Sequence, residues 1–438
     1  MGPTIIHSVL LFDGTSLHPN ATVTFDPEKG IITSVSTSST SSSGFPSEAT
    51  VIDGEGHTLL PGFIESHMHV HGLHLPPGAD KSDLLRSPLR CGVTTVCDMH
   101  SDPATVIEHR KVIAEELAQA RKSSGTVTMS DLKSSLYGAT IEGGWPKPIV
   151  LGHNPTEELK EYVSTWPNVT IDTAEDFVRS HKAKGADYIK LMQENCCSLA
   201  MPTGAIPVAT LELQTAVVKA GHAAGLPVVG HALSVDMTEV VLKAGADGLT
   251  HTFVDQPPPQ SIIDLYKQNN AFVIPTLTVL ASLTNELQDW RDKFAEIASR
   301  RKVVDDFTLQ NMKESMNMKD AAAKLEYAFE TVKKLRQEGI DVVAGTDAVA
   351  GLKGTGIGPS LWMEMLLYVE KCGMTVTEAL SSATAVSAKR LGFGDRGVLA
   401  EGKRADVVLV KGNLGEKLDA LWENDGIVGV WKQGIKAA

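Results

Sequence analysis

Cysteine is scarce in this chain, with five among 438 residues at positions 91, 97, 196, 197 and 372. No two are spaced as Cys-x-x-Cys, so neither a disulfide framework nor a thiolate zinc site is indicated. Adjacent Cys196 and Cys197 can be read as a redox pair, but small buried residues near a strand end are the plainer reading. Basic charge is also in short supply: 40 Lys+Arg against 53 Asp+Glu leave a formal charge of −13. Without a basic run the chain lacks the electrostatic footprint of a protein that wraps nucleic acid or an anionic membrane. No stretch approaches the roughly 20 uninterrupted apolar residues of a membrane-spanning helix. The start, Met1-Gly-Pro-Thr-Ile-Ile-His7, has no basic segment leading into an apolar core, and Ile6 stands where a myristoylation signal has Ser or Thr. These absences predict a soluble, cytoplasmic protein that acts on a small molecule. Two chemistries are missing as well. No Gly-x-Ser-x-Gly elbow supports a serine hydrolase. The glycine-rich run at 354–358 is followed by no Lys-Ser/Thr, so it reads as a flexible loop rather than a phosphate cradle.

What is present is a change of pattern near residue 61. Before it, β-branched runs at 4–12, 21–25, 31–35 and 50–53 are separated by Asp-Gly, Asn and Lys-Gly turns. A Ser/Thr tract at 37–44 is too polar to pack and reads as a loop. After it, apolar strand-like runs at 63–70, 92–99, 126–130, 186–192, 227–231, 248–251, 271–276 and 340–346 alternate with amphipathic segments such as 104–121, 173–184, 210–224, 236–244 and 325–338. Such alternation predicts a parallel sheet covered by crossover helices, and eight strands are what a closed (β/α)8 barrel needs. The charged segment 281–323 predicts extra helices on the rim, followed by helices at 361–370 and 376–391. Strand patterns return at 397–399 and 405–410. The predicted fold class is α/β: a TIM-type barrel over 61–394, with a small β-sandwich built from 1–60 and 395–438.

Four histidines, one lysine and one aspartate fall at the ends or in the middle of these runs. His67 and His69 are two apart in the first barrel strand, so both imidazoles face the same way and can reach one metal ion. Such a pair also arises by chance and in cores; its place at the C-terminal end of a barrel strand is what adds weight. Lys190 sits inside Ala186-Asp-Tyr-Ile-Lys-Leu-Met192, where an unpaired ammonium is costly. It is either a snorkelling or salt-bridged lysine, or a neutral amine able to take up CO2 as a carbamate that bridges two cations. His231 and His251 each close an apolar run, on consecutive strand–helix units. Asp347 ends Ile340-Asp-Val-Val-Ala-Gly-Thr-Asp347, where a carboxylate can ligate a metal and accept a proton.

Taken in order, these six residues resemble the ligand set of the amidohydrolase superfamily, in its binuclear members with a carboxylated lysine. The resemblance extends through Leu60-Pro-Gly-Phe-Ile-Glu-Ser-His67-Met-His69, Gly345-Thr-Asp347 and Gly402-Lys-Arg-Ala-Asp-Val-Val-Leu409. Tyr188-Ile-Lys190-Leu-Met192 is similar to the imidazolonepropionase-like branch, which contains prolidases and an ochratoxin-hydrolysing amidase. The resemblance implies that His67, His69 and Asp347 hold one divalent ion, that His231 and His251 hold a second, and that N6-carboxylated Lys190 bridges them. Zinc suits imidazole and carboxylate ligands best, and manganese or iron would fit the same set. It further implies a hydrolase that cleaves a peptide-like or aromatic amide through a hydroxide shared by the ions, with Asp347 carrying the proton. A homo-oligomer is implied too. A lactone, ester or cyclic-amide hydrolase would use the same hydroxide, and a C–C-cleaving, decarboxylating or non-catalytic scaffold role lies further off.

Substrate contacts are where the chain departs from that branch. The turn after the strand-4 lysine reads Gln193-Glu-Asn-Cys-Cys197 instead of a small Gly-containing turn. Leu233 and Phe253 stand where polar residues are common in the dipeptidases, which points to a less polar substrate. His100 and His153 are candidate substrate contacts, with His71, His74 and Trp145 as further loop residues that can line the mouth; for each taken singly, a solvated loop position is the plainer reading.

Overall fold

The computed structural model describes residues 1–37, 44–202, 204–423 and 426–438, so most of the Ser/Thr tract lies outside the described residues. The β-branched runs of the first 61 residues become five strands: β1 (Thr4–Phe12), β2 (Leu17–Asp26), β3 (Ile31–Ser36), β4 (Thr50–Asp53) and β5 (His57–Pro61). Seven short strands follow in the middle of the chain: β6 (Phe63–Met68), β7 (Val93–Asp98), β8 (Asp131–Ser134), β9 (Ile189–Met192), β10 (Val228–His231), β11 (Gly248–Thr250) and β12 (Phe272–Ile274). Near the end come β13 (Val407–Lys411), β14 (Ile427–Lys432) and β15 (Ile435–Lys436).

Both chain ends enter one mixed sheet, in the order β15-β14-β13-β5-β1-β2-β3, with β4 beside β1. Alternation along β13 serves two cores, as a period of two requires. Val407 and Leu409 pack with Ile6, Val9, Phe25, Leu59 and Trp431 in a local cluster, whereas Val408 and Val410 join the main core.

The middle strands pair in parallel, β6-β7-β8 and β9-β10-β11-β12, and every residue of β6, β7, β9, β10, β11 and β12 is buried. The two sheets meet at both edges. Ala139 pairs with Leu191 on one side; on the other, Val342 pairs with Val273 and Ala348 with Met68. The run expected as a strand at 340–346 is thus extended but held by single bridges, with Ser66 N donating to Ala344 O and Val343 N to Val273 O. The third expected strand lies five residues further on. The β-branched residues near 127 are taken by the terminal sheet, where Val127 pairs with Ala437, and Asp131–Ser134 lines up with Thr95–Asp98 instead. The predicted rim helices are present as Leu277–Leu283, Gln288–Arg301 and Asp306–Lys313. The helix expected over 376–391 divides at Thr384 into Val376–Ser382 and Ala385–Arg390. Residues 354–358 are buried and run into the helix Pro359–Glu370. Among the described residues, no helix is long and apolar enough to cross a membrane.

One ionic cluster ties the parallel strands to the returning C-terminal segment. At the start of β8, Asp131 Oδ2 accepts from Arg396 Nη1 at 2.7 Å and from Arg404 Nη1 at 2.8 Å. Burial pushes the Asp131 carboxyl up, but the Arg404 and Arg396 guanidiniums outweigh it and hold the pKa below the ordinary carboxylate value. A depressed folded-state pKa contributes stability above the unfolded value near 3.8 that is lost as pH falls. Asp131→Asn is therefore expected to cost roughly 2–4 kcal/mol at pH 7, because it leaves two part-buried guanidiniums undercompensated. The difference from wild type should shrink below about pH 4. Denaturant titrations at both pH values check this; a gap that is constant with pH would contradict it.

Candidate active site

Parallel strands all point one way, so residues far apart in sequence emerge together at their C-terminal ends. His67 lies in β6 and His69 follows it, Lys190 is in β9, His231 ends β10, His251 follows β11 and Asp347 ends the bridging run. The structure gathers the histidines round one carboxylate. Asp347 Oδ1 lies 2.9 Å from His69 Nε2 and 3.1 Å from His67 Nε2, and its Oδ2 lies 3.7 Å from His251 Nε2. Ligand atoms of His67, His251 and Asp347 fall within 4.8 Å of one another, the spacing of a metal site. Asp347, Thr276 and Cys196 adopt positive φ values of 57°, 54° and 64°, a concentration of unusual backbone typical of functional sites.

Hydrogen positions around the second pair of histidines follow from their outer partners. Thr276 Oγ1 donates to Pro275 O at 2.8 Å, so it accepts from His251 Nδ1 at 2.5 Å. That leaves a lone pair on His251 Nε2. His231 Nε2 lies 3.3 Å from Glu194 Oε2, an oxygen that already accepts from Leu233 N, so the proton of this contact is placed on Nε2 and the lone pair on Nδ1. These two lone pairs face each other at 3.1 Å. Burial holds the pKa of both rings below the usual histidine value, so neither supplies an extra proton. A cation is what fits between two such nitrogens.

The other pair differs. Burial lowers the His69 pKa, but its hydrogen bond to Asp347 outweighs that and raises it, so a proton can close the His69–Asp347 contact. His67 is pushed down to about 3 by burial and then by the charge of Lys190, and its Nδ1 has no hydrogen-bond partner among the described residues. Burial also pushes the Asp347 carboxyl up, yet His67 and His69 beside it hold it well below the carboxylate range. Lys190 is 2% exposed, and burial lowers its amine to about 7. Its Nζ contacts Thr250 Oγ1 and has no ion-pair partner among the described residues.

The loop residues divide. Trp145 stacks on His231, with ring centres 4.9 Å apart and planes at 23°. His71 stands beside His69 at 5.6 Å, and His74 lies a further step out, exposed. His100 is buried; its carbonyl lies 3.3 Å from His69 Nδ1, its Nδ1 accepts from Gly138 N, and its Nε2 is unpartnered. His153 is exposed on the turn after the helix Lys147–Leu151, and no hydrogen bond or ring contact joins it to the others among the described residues. Three supporting residues have no local sequence signature: Glu194, Thr276 and Asp98. Asp98 accepts from Val70 N, Ser101 Oγ and Ser134 Oγ and so steadies the loop after His69.

A protein-family model described as the amidohydrolase family matches residues 58–436. Imidazolonepropionase of Deinococcus deserti is 33% identical over 104 residues, covering 24% of this chain and 25% of that protein. The chain thus spans about a quarter of the length of the first curated relatives it matches, 26% and 25%. A solved Xaa-Pro dipeptidase with methionine bound in its active site superposes with a TM-score of 0.71 at 23% identity, over 99% of both chains. Ochratoxinase of A. niger superposes with a TM-score of 0.70 at 19% identity, over 100% of this chain and 96% of that one. At these identities the two superpositions show the fold.

Gly345 is what lets the run ending in Asp347 approach His67 so closely. A Cβ there would lie 2.8 Å from His67 N and 2.5 Å from Ile274 Cγ2. Gly345→Ala is expected to cost about 1–3 kcal/mol in urea unfolding, as overpacked cores do. Gly394→Ala, where a Cβ meets nothing within 4 Å, should be near neutral. Equal effects of the two would contradict the close approach.

Proposed function

The chain belongs to the amidohydrolase family, and from that premise we propose that it is a binuclear metal-dependent hydrolase that cleaves an amide bond. The observation that carries the reading is the approach of His231 Nδ1 to His251 Nε2, 3.1 Å apart, with Glu194 and Thr276 on the outer nitrogens. In this reading His67, His69 and Asp347 hold one ion, His231 and His251 the other, and zinc is the ion that suits this donor set. Lys190, buried and without an ion-pair partner among the described residues, is the position for an N6-carboxylated lysine that joins the two. The two parallel sheets, joined at both edges, are read as a (β/α)8 barrel over 61–394, and the terminal sheet as a β-sandwich domain.

Divalent ions in these positions supply Lewis acidity and make water a nucleophile at neutral pH. The chain's own residues supply the rest. Asp347, ionised and with Oδ2 turned toward His251, is placed to take the proton of an attacking water and pass it to the leaving nitrogen. Trp145, lying flat on His231, gives the mouth an aromatic face. Leu233 and Phe253, two residues after His231 and His251 and both buried, add no polar group there, which favours an aromatic or peptide-like amide over a highly charged substrate.

Protein prepared with zinc and bicarbonate is expected to bind two ions per chain and to hydrolyse members of a panel of N-acyl amino acids, dipeptides and aryl amides, read by mass spectrometry. Lactones in the same panel separate amide from ester chemistry. Asp347→Asn should lower turnover by about 10²–10⁴-fold, the span of a lost general acid–base group, while the protein stays folded. Wild-type protein that retains no metal, or a metallated D347N protein with near-normal turnover, would overturn the reading.

A further inference from the structure

Glu194 is an enclosed carboxylate beside His231: the residue is 1% exposed and its side chain 0%. All of its hydrogen-bonding capacity is used. Oε1 accepts from Asn195 N at 3.0 Å and Cys196 N at 2.7 Å; Oε2 accepts from Leu233 N at 3.1 Å and faces His231 Nε2 at 3.3 Å. Four donors fill the roughly four lone-pair sites of a carboxylate, so Glu194 has nothing left to offer a substrate or an ion. Two donors come from the loop after β9 and two from the end of β10 and its loop. One carboxyl group therefore joins two strand ends and faces the outer nitrogen of a single histidine.

We infer that Glu194 is a positioning residue whose carboxylate sets the tautomer and rotation of His231, so that Nδ1 presents a lone pair toward His251. This deepens the metal-centre reading above and rests on it for its consequence, though not for the tautomer itself. The ring of His231 is held from two directions. Trp145 lies parallel to its face, which fixes the plane, and Glu194 fixes which nitrogen carries hydrogen. Carboxylates that hold the far nitrogen of a metal-binding imidazole in this way typically change metal affinity or activity by about 10–100-fold when removed.

Glu194→Gln tests the inference, because an amide of the same size cannot accept at all four places. With its carbonyl oxygen kept toward Asn195 and Cys196, its NH2 meets His231 Nε2 and Leu233 N as a donor facing donors. With the amide flipped, the clash moves to Asn195 and Cys196. Competition with a chromophoric chelator is expected to show one of the two zinc ions bound about 10–100-fold more weakly in E194Q and the other unchanged. In metal-free protein carrying 15N-histidine, NMR should find His231 of the wild type protonated on Nε2 and a changed tautomer population in E194Q. Wild-type His231 protonated on Nδ1 would overturn the inference without any variant. So would an E194Q protein with wild-type tautomer and wild-type affinity for both ions. Should the wild type bind no metal, the proposed function fails while the tautomer measurement still decides the role of Glu194.

Discussion

Two neutral imidazoles in the interior, their lone pairs 3.1 Å apart, are the constraint from which the rest of the site follows. Their protons are held on the far sides by Thr276 and Glu194, and burial disfavours a third proton between them. A buried polar atom without a partner costs on the order of 1–3 kcal/mol, so two such atoms aimed at one point imply something that satisfies both. Asp347 shows the contrast. Its contact with His69 closes with a proton, because the carboxylate raises the imidazole's pKa. The same rim thus carries two close pairs, His69 with Asp347 and His231 with His251, and the placement of protons on the outer nitrogens sets the second apart.

The fold brings these groups together with short strands and long crossovers. β9 and β10 have four residues each and β11 and β12 three, enough to aim one or two side chains at the rim before the chain leaves for a helix. The two parallel sheets meet along the residues from Ile340 to Ala348, which pair with β12 at one end and β6 at the other. Gly345 permits that contact, and Asp347 is delivered by it. At the opposite end of β8, the Asp131–Arg396–Arg404 cluster fastens the returning chain, so the terminal sheet and the parallel strands share one foundation.

Much of this was legible in the sequence, for a physical reason. Strand alternation places His67 and His69 on one side, and strand ends in a parallel sheet cluster, so His231, His251 and Asp347 stood out as candidates, and the structure brings them close together. Less legible was anything that depends on partner choice across the fold. The third strand was placed at 126–130 because those residues are β-branched, but Val127 is claimed by Ala437, more than 300 residues away. Glu194 read only as a departure in a turn, since nothing local says that its carboxylate meets His231 and Leu233. Thr276 was likewise silent. His153 looked equivalent to His100 as a loop histidine; burial separates them, and burial is set by packing that one sequence does not show.

The most direct measurement is the anomalous scattering of zinc in a crystal of this protein. If the facing lone pairs define a cation site, a zinc peak lies about 2.0–2.1 Å from both His231 Nδ1 and His251 Nε2, with Glu194 and Thr276 still on the outer nitrogens. An anomalous map with no peak between those two nitrogens, in crystals grown with excess zinc, would contradict it.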